Sequence, residues 1–275
     1  MAQNRSPLPA AQPELSSPNS ARPSERAWVW GLAAAALALL ALFIWLTPPG
    51  FWNKLMAVGS AVCHQDPAHS FLVYGRQMPL CARCTGMYLG ALLSLAFHFW
   101  QGKRGGFPPR WILIILGLLF LAFAVDGLNS LAASLGLGWD LYETTNLSRL
   151  ITGLGAGLVI GAVLTPIFNQ TAWANWERAS ALQDSKALAL LLATGWLIIW
   201  AVYAGPQALR YPAAILSSVG VLTVLCLAYT TLALIVLRRE NQATTFRELL
   251  LPLMVGVLAA LLQVSLFAFL RVHFL

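Results

Sequence analysis

The chain reads as an all-α fold, a polytopic transmembrane helical bundle of about seven spans behind a disordered N-terminal tail. Three observations carry that reading. Hydrophobic residues make up 59% of the 275 and charged residues only 10%, where soluble domains carry about a quarter. Mean hydropathy is +0.71. The apolar residues come in runs of about 20, the length that crosses roughly 30 Å of hydrocarbon, with short polar segments between them.

Residues 1–26 are Pro, Ser, Ala and Gln with almost no large apolar side chains, so they bury too little surface to offset ordering and form a disordered cytoplasmic tail. The run 28–46 follows with no small-residue cleavage site after it, which makes it an anchor rather than a cleaved signal. Further runs lie at 80–100, 111–128, 147–168, 187–204, 213–237 and 249–270, the third and fifth of the seven being the shortest. Residues 27–168 thus form a four-span membrane domain and 169–275 a C-terminal membrane segment of three spans. Between them, 170–186 reads as an amphipathic loop or a short interfacial helix.

Lys and Arg in short loops favour the cytoplasmic side. With the N-terminus inside, Lys103, Arg104, Arg110, Arg178, Lys186, Arg238, Arg239 and Arg247 fall on the inner side, and Lys54, Arg76, Arg83, Arg149, Arg210 and Arg271 on the outer. The chain is then a multi-pass cell-membrane protein with a cytoplasmic N-terminus and the lipid bilayer as its partner. The net charge of +7 is scattered between apolar spans rather than gathered with aromatics, so nucleic acid is not an expected partner.

Against this apolar background, "CHQDPAHSFLVYGRQMPLCARCTGMYLG" at 63–90 holds three of the four cysteines and two of the four histidines. Cys81 and Cys84 are three apart at a helix start, so they share a face, and the N-terminal dipole favours the thiolate. Pro79 suits a helix start, and Asp66-Pro67 a turn that brings the preceding loop back to it. Cys63, His64, Cys81 and Cys84 make a complete tetrahedral Zn2+ set with one C-x-x-C half of the usual spacing. Met78, Cys81, Cys84 and Met87 at steps of three make a soft-ligand stripe that suits Cu+, the lesser alternative. Two other chemistries stay open: a disulfide between two of the cysteines if the outer face is oxidising, and thiol-disulfide exchange by Cys81 and Cys84. Cys226 lies mid-span and reads as a small buried hydrophobe. His69 is an alternative ligand that more simply faces water, and His98 reads as interfacial.

A second constellation is charged. Asp126 ends one apolar run and Arg149 opens the next, and a charge there costs a few kcal/mol unless it finds a partner. The expected pair is Asp126 with Arg149, with Thr145 or Asn146 capping the helix that follows. Gly86 and Gly90 form one small-residue face and Gly153, Gly157 and Gly161 another, so the second and fourth spans should pack closely and bring Arg149 within reach of the cysteines.

The residues "CHQ", "MPLCARCTG", "DG" and "NLSRLITG" resemble a prokaryotic integral membrane family named as domain of unknown function 2085, over roughly residues 55–160. The matching positions include Cys63, His64, Gln65, Pro79, Cys81, Arg83, Cys84, Asp126, Asn146, Arg149 and Gly153. The family name implies no particular activity. The combined expectation is an outer-face Cys3His metal site, structural or sensory, at Cys63, His64, Cys81 and Cys84, with Asp126, Asn146, Arg149 and Arg83 around it. A membrane thiol oxidoreductase and a small-solute transporter working through Asp126 and Arg149 are the competing readings.

Overall fold

The computed structural model describes residues 23–136, 138 and 141–274, so the expected tail lies outside the described residues as far as residue 22. From there the chain is already helical: α1 (Pro23–Leu46) starts on a proline, which fits the first turn because its missing N–H has no partner there anyway. A short α2 (Phe51–Ser60) and a small hairpin, β1 (Leu72–Val73) with β2 (Arg76–Gln77), lead to α3 (Ala82–Trp100). Then come β3 (Arg104–Gly106), α4 (Arg110–Ser134), α5 (Asn146–Ala172), β4 (Glu177–Ser180), α6 (Ser185–Tyr203), α7 (Gln207–Val236) and α8 (Leu250–Phe274).

Among the described residues, six helices are long and apolar enough to cross a membrane: α1, α4, α5, α6, α7 and α8. The third expected span, short in the sequence, lengthens to the 25 residues of α4 because the helix runs on through Asp126 to Ser134. The helix at the second expected span, α3, has the length but carries Arg83, Thr85, Ser94 and His98. It tolerates them because its neighbours surround it: Thr85 and Ser94 are fully buried and His98 is 2% exposed.

What brings α3 into the centre is its contact with α5. A Cβ on Gly153 would sit 2.1 Å from the Arg83 carbonyl oxygen, one on Gly157 2.0 Å from that of Met87, and one on Gly86 2.3 Å from that of Leu150. Only glycine admits such approaches, and the paired positions rise together along both helices, so α3 and α5 run parallel with backbones in contact. Ser94 donates to the Leu158 carbonyl across the same seam at 2.9 Å. The expected packing of the second and fourth spans is therefore present. On its other sides α3 meets α7, where a Cβ on Gly220 would come 2.7 Å from the Tyr88 carbonyl oxygen. Two apolar clusters result. One joins α3 to α4, α5 and α6 through Leu89, Ile112, Leu154 and Leu191; the other joins it to α1, α2, α7 and α8 through Phe43, Val58, Tyr88, Val221 and Val264.

At the far end of the bundle, residues 170–186 are neither a free loop nor an interfacial helix. β4 pairs in parallel with β3, Arg104 opposite Glu177, because a glycine at 106 lets the chains meet: a Cβ there would lie 2.2 Å from the Arg178 carbonyl oxygen. Lys103 sits over the Trp173 ring at 3.7 Å. His98, expected at the interface, is buried instead, and its Nδ1 donates to the Ser94 carbonyl at 2.6 Å.

The glycine seam makes a direct prediction. Gly157→Ala must push α3 and α5 apart, because the obstructing atom is a backbone oxygen. Overpacking of this kind costs about 1–3 kcal/mol. Thermal unfolding in detergent should show Gly157→Ala clearly destabilised, while Gly117→Ala, with nothing within 4 Å of its added Cβ, should match the parent.

Candidate metal centre

The site is built where α2 ends and α3 begins. After Ser60 the backbone turns once more, the Cys63 N–H donating to Gly59, and then leaves helical geometry. Gly59 lies against the segment leading into α3 so tightly that a Cβ would be 2.0 Å from the Pro79 carbonyl oxygen. Gln65 is left-handed at φ 59°, and its side-chain amide donates to the carbonyls of Met56 at 2.8 Å and Pro79 at 2.7 Å, tying the two ends of the loop together. Asp66 caps a 3-10 turn, Pro67–His69, through the Ala68 N–H. The chain returns through the hairpin, whose two-residue turn at Tyr74 and Gly75 has positive φ at both positions, the type that matches strand twist. Cys81 then stands at the N-cap of α3.

This path brings three sulfurs together. The Sγ atoms of Cys63, Cys81 and Cys84 all lie within 4.8 Å of one another, and all are free thiols. Three sulfurs bound to one ion at about 2.3 Å stand roughly 4 Å apart, so the trio needs only a small contraction. Cys63 Sγ also accepts the backbone N–H of Cys81 at 3.2 Å and that of Gln65 at 3.4 Å, contacts that stabilise a sulfur carrying charge. Hydrogen bonds shared with Cys63 and then Cys84 hold the Cys81 thiol far below its ordinary range, while the bond shared with Cys81 pushes Cys63 up to about 11. Cys81 stands at the positive end of the α3 dipole, a position that favours the thiolate form.

His64 departs from expectation. It is exposed and lies outside the trio, because it directly follows Cys63 and neighbouring side chains diverge. The soft-ligand stripe also divides: Met87 packs with the cysteines, whereas Met78 is fully buried in the opposite cluster. His69 pairs with Asp66 at 2.9 Å and Cys226 sits in α7, so neither joins the site.

The charged constellation forms, but with different partners and on another face of α3. Asp126, fully buried, is paired with Arg83 rather than Arg149: Arg83 donates through Nε at 3.0 Å and through Nη2, and reaches the Asp126 carbonyl as well. The Tyr142 hydroxyl donates to Oδ1 at 2.9 Å and Thr152 to Oδ2 at 3.3 Å. Arg149, 6% exposed, donates to Thr144 Oγ1 at 2.8 Å and lies within electrostatic range of Cys81 without touching it. The reason is helical spacing. Arg83 turns about 100° away from Cys84, so it faces α4 and α5 while the cysteines face the other cluster. Thr145, not Asn146, is the N-cap of α5, in a reciprocal box with Ser148; Asn146 is the first helical residue and its buried Oδ1 has no partner.

Two contributors escaped the sequence reading. Gln65 follows the Cys-His pair directly, yet its partner Pro79 is 14 residues on, beyond any local signal. Arg271, on α8, donates to the carbonyls of Cys63 at 2.8 Å and of His64.

The fold and site define a polytopic helical membrane protein with a three-thiol centre at one end of its bundle. Residues 63–163 match the family described as Predicted membrane protein (DUF2085). An uncharacterized protein of Methanocaldococcus jannaschii is 38% identical over 124 residues, 43% of this chain and 73% of that relative. Another, of Methanothermobacter thermautotrophicus, is 34% identical over 106 residues, 38% of this chain and 86% of the relative. The chain belongs to this family of predicted membrane proteins. No solved structure matches it.

Asp126→Asn should leave Arg83 as an uncompensated charge and destabilise the protein by about 3–5 kcal/mol. Adding Arg83→Gln should recover part of that loss. Thermal melts of the single and double variants check it, and equal stability of all three proteins would refute the pairing.

Proposed function

We propose that the protein is a membrane metal-binding protein in which Cys63, Cys81 and Cys84 hold one thiophilic ion, Zn2+ first and Cu+ second, close to the outer membrane face. The observation that carries this reading is the meeting of three free thiols from two chain segments within 4.8 Å. Backbone N–H groups already aimed at Cys63 Sγ support it, because they are the contacts a metal-bound sulfur uses.

Three thiolates fill three of the four tetrahedral positions of Zn2+. With His64 outside the trio, a fourth position would stay open to a further ligand, and the role of the bound ion is structural or sensory. The outer placement rests on charge. Lys103, Arg104, Arg110, Arg178, Lys186, Arg238 and Arg247 belong to the end opposite the thiols, the end the positive-inside rule assigns to the cytoplasm.

The closeness of the free thiols of Cys81 and Cys84 favours one second reading, thiol-disulfide exchange by this pair. The transport reading draws no support from the Arg83–Asp126 pair, whose groups close on one another, on Tyr142 and on Thr152.

Elemental analysis of protein purified without chelator should find about one Zn or Cu per chain. Cys81→Ser with Cys84→Ser should lose it, while His64→Ala and Cys226→Ser should keep it. Equal metal in parent and double variant would end the proposal. Thiols that resist alkylation until a chelator is added favour binding; thiols whose accessibility follows the redox buffer favour exchange.

A further inference from the structure

We propose that Arg271 is a positioning residue of the thiol centre: α8, which lies beyond the family match, reaches over the site and clasps the backbone that carries Cys63. This rests on the reading of the trio as a metal site.

The clasp has two jaws. Nη1 of Arg271 donates to the Cys63 carbonyl at 2.8 Å and Nη2 to the His64 carbonyl, across more than 200 residues of sequence. A guanidinium suits this because its planar fork aims two N–H groups at two adjacent acceptors, which an ammonium group does not do. The clasped segment needs holding. Residues 63–66 lie between α2 and the 3-10 turn with no helix or strand of their own, and Gln65 sits in a left-handed conformation. Cys81 and Cys84, by contrast, ride on α3 and stay put. Assembly of the trio therefore depends on where the 63–66 segment is fixed: Gln77 and Ser70 donate to the carbonyls of Gln65 and Asp66, and two further side chains hold the segment to its surroundings. Gln65 ties it to Pro79 and Met56, and Arg271 ties it to α8.

The rest of α8 supports the same role. Ala268 and Val264, about one and two turns before Arg271, are buried in the cluster that holds Cys63, with Val221 of α7 beside them, and Cys81 and Cys84 pack against that cluster. The helix crosses α7 where a Cβ on Gly256 would meet Thr230 Oγ1 at 2.2 Å and the Cys226 carbonyl oxygen at 2.8 Å, so its height relative to the loop is set by close packing. The family-matched segment, 63–163, supplies the thiols, and the C-terminal helices supply the cover and the clasp. The guanidinium touches no sulfur here; it acts through the Cys63 backbone, and loosening it changes how readily Cys63 joins the other two.

The test uses the full chain in detergent, titrated with Co2+, whose thiolate charge-transfer absorption reports sulfur ligation. Arg271→Gln should bind Co2+ about 10–100-fold more weakly, the usual loss when a group that orients a ligand is removed. Arg271→Lys should fall between it and the parent, restoring charge and one donor but not the fork. Equal Co2+ affinity in Arg271→Gln and the parent would overturn the inference. A second readout needs no metal. In a chain with Cys81→Ser, Cys84→Ser and Cys226→Ser, maleimide should modify Cys63 faster once Arg271→Gln is added, with helical content unchanged. If the parent takes up no Co2+, the metal reading fails on its own and the Cys63 rate decides the clasp: faster modification upholds it, and an unchanged rate overturns it.

Discussion

The backbone contact between α3 and α5 is the constraint on which the rest of the structure depends. Where glycines at 86, 153 and 157 remove side chains from the seam, two parallel helices approach until carbonyl oxygens replace side chains as neighbours. In lipid such contacts carry helix association, since hydrocarbon gives no hydrophobic drive between apolar helices. The consequence reaches beyond stability. With α5 on one side and α7 on another, α3 is shielded from lipid, and only a shielded helix keeps an arginine, a buried histidine and two cysteines at its polar positions.

The same central position explains why α3 serves two distinct sites. Cys81 and Cys84 stand three positions apart at the start of α3 and so share one face, while Arg83 between them is turned to α4 and α5. One face leads into the thiol trio, the other into an ion pair whose carboxylate is fully buried and whose acceptor capacity is filled by Arg83, Tyr142 and Thr152. Tyr142 and Thr144 come from the loop between α4 and α5, so the pair also ties down the connection leading into α5. A buried pair so fully hydrogen-bonded offsets much of its own desolvation and stiffens the end of the bundle where the thiols meet.

The helical class and the apolar runs were legible in the sequence because length and hydropathy alone dictate spans, and the glycine spacing was legible because small residues four apart share a face. The three cysteines could be grouped for the same reason: Cys81 and Cys84 are local, and Cys63 lies across one short loop. Partner choice was not legible. Asp126 and Arg149 are nearer in sequence than Asp126 and Arg83, but proximity along the chain says nothing about which face of α3 an arginine occupies once α5 has docked against it. His64 was expected as a ligand only if its segment is irregular enough to turn two adjacent side chains to one ion; residues 63–66 are irregular, yet His64 lies exposed outside the trio, and its carbonyl and that of Cys63 are held by Arg271.

That last contact links the two parts of the chain. The cysteines lie on the side of α3 away from α4 and α5, and the family match ends at residue 163, before α7 and α8 begin. In this chain α7 and α8 occupy that side, burying Val221, Val264 and Ala268 among the cysteines' neighbours. Low polarity around a group of sulfurs strengthens every electrostatic interaction within it, so the cover that α8 supplies raises the penalty for a thiolate charge left alone. The matched segment, 63–163, carries the three cysteines, while α8, which it does not contain, contacts the Cys63 backbone and supplies part of the apolar surroundings.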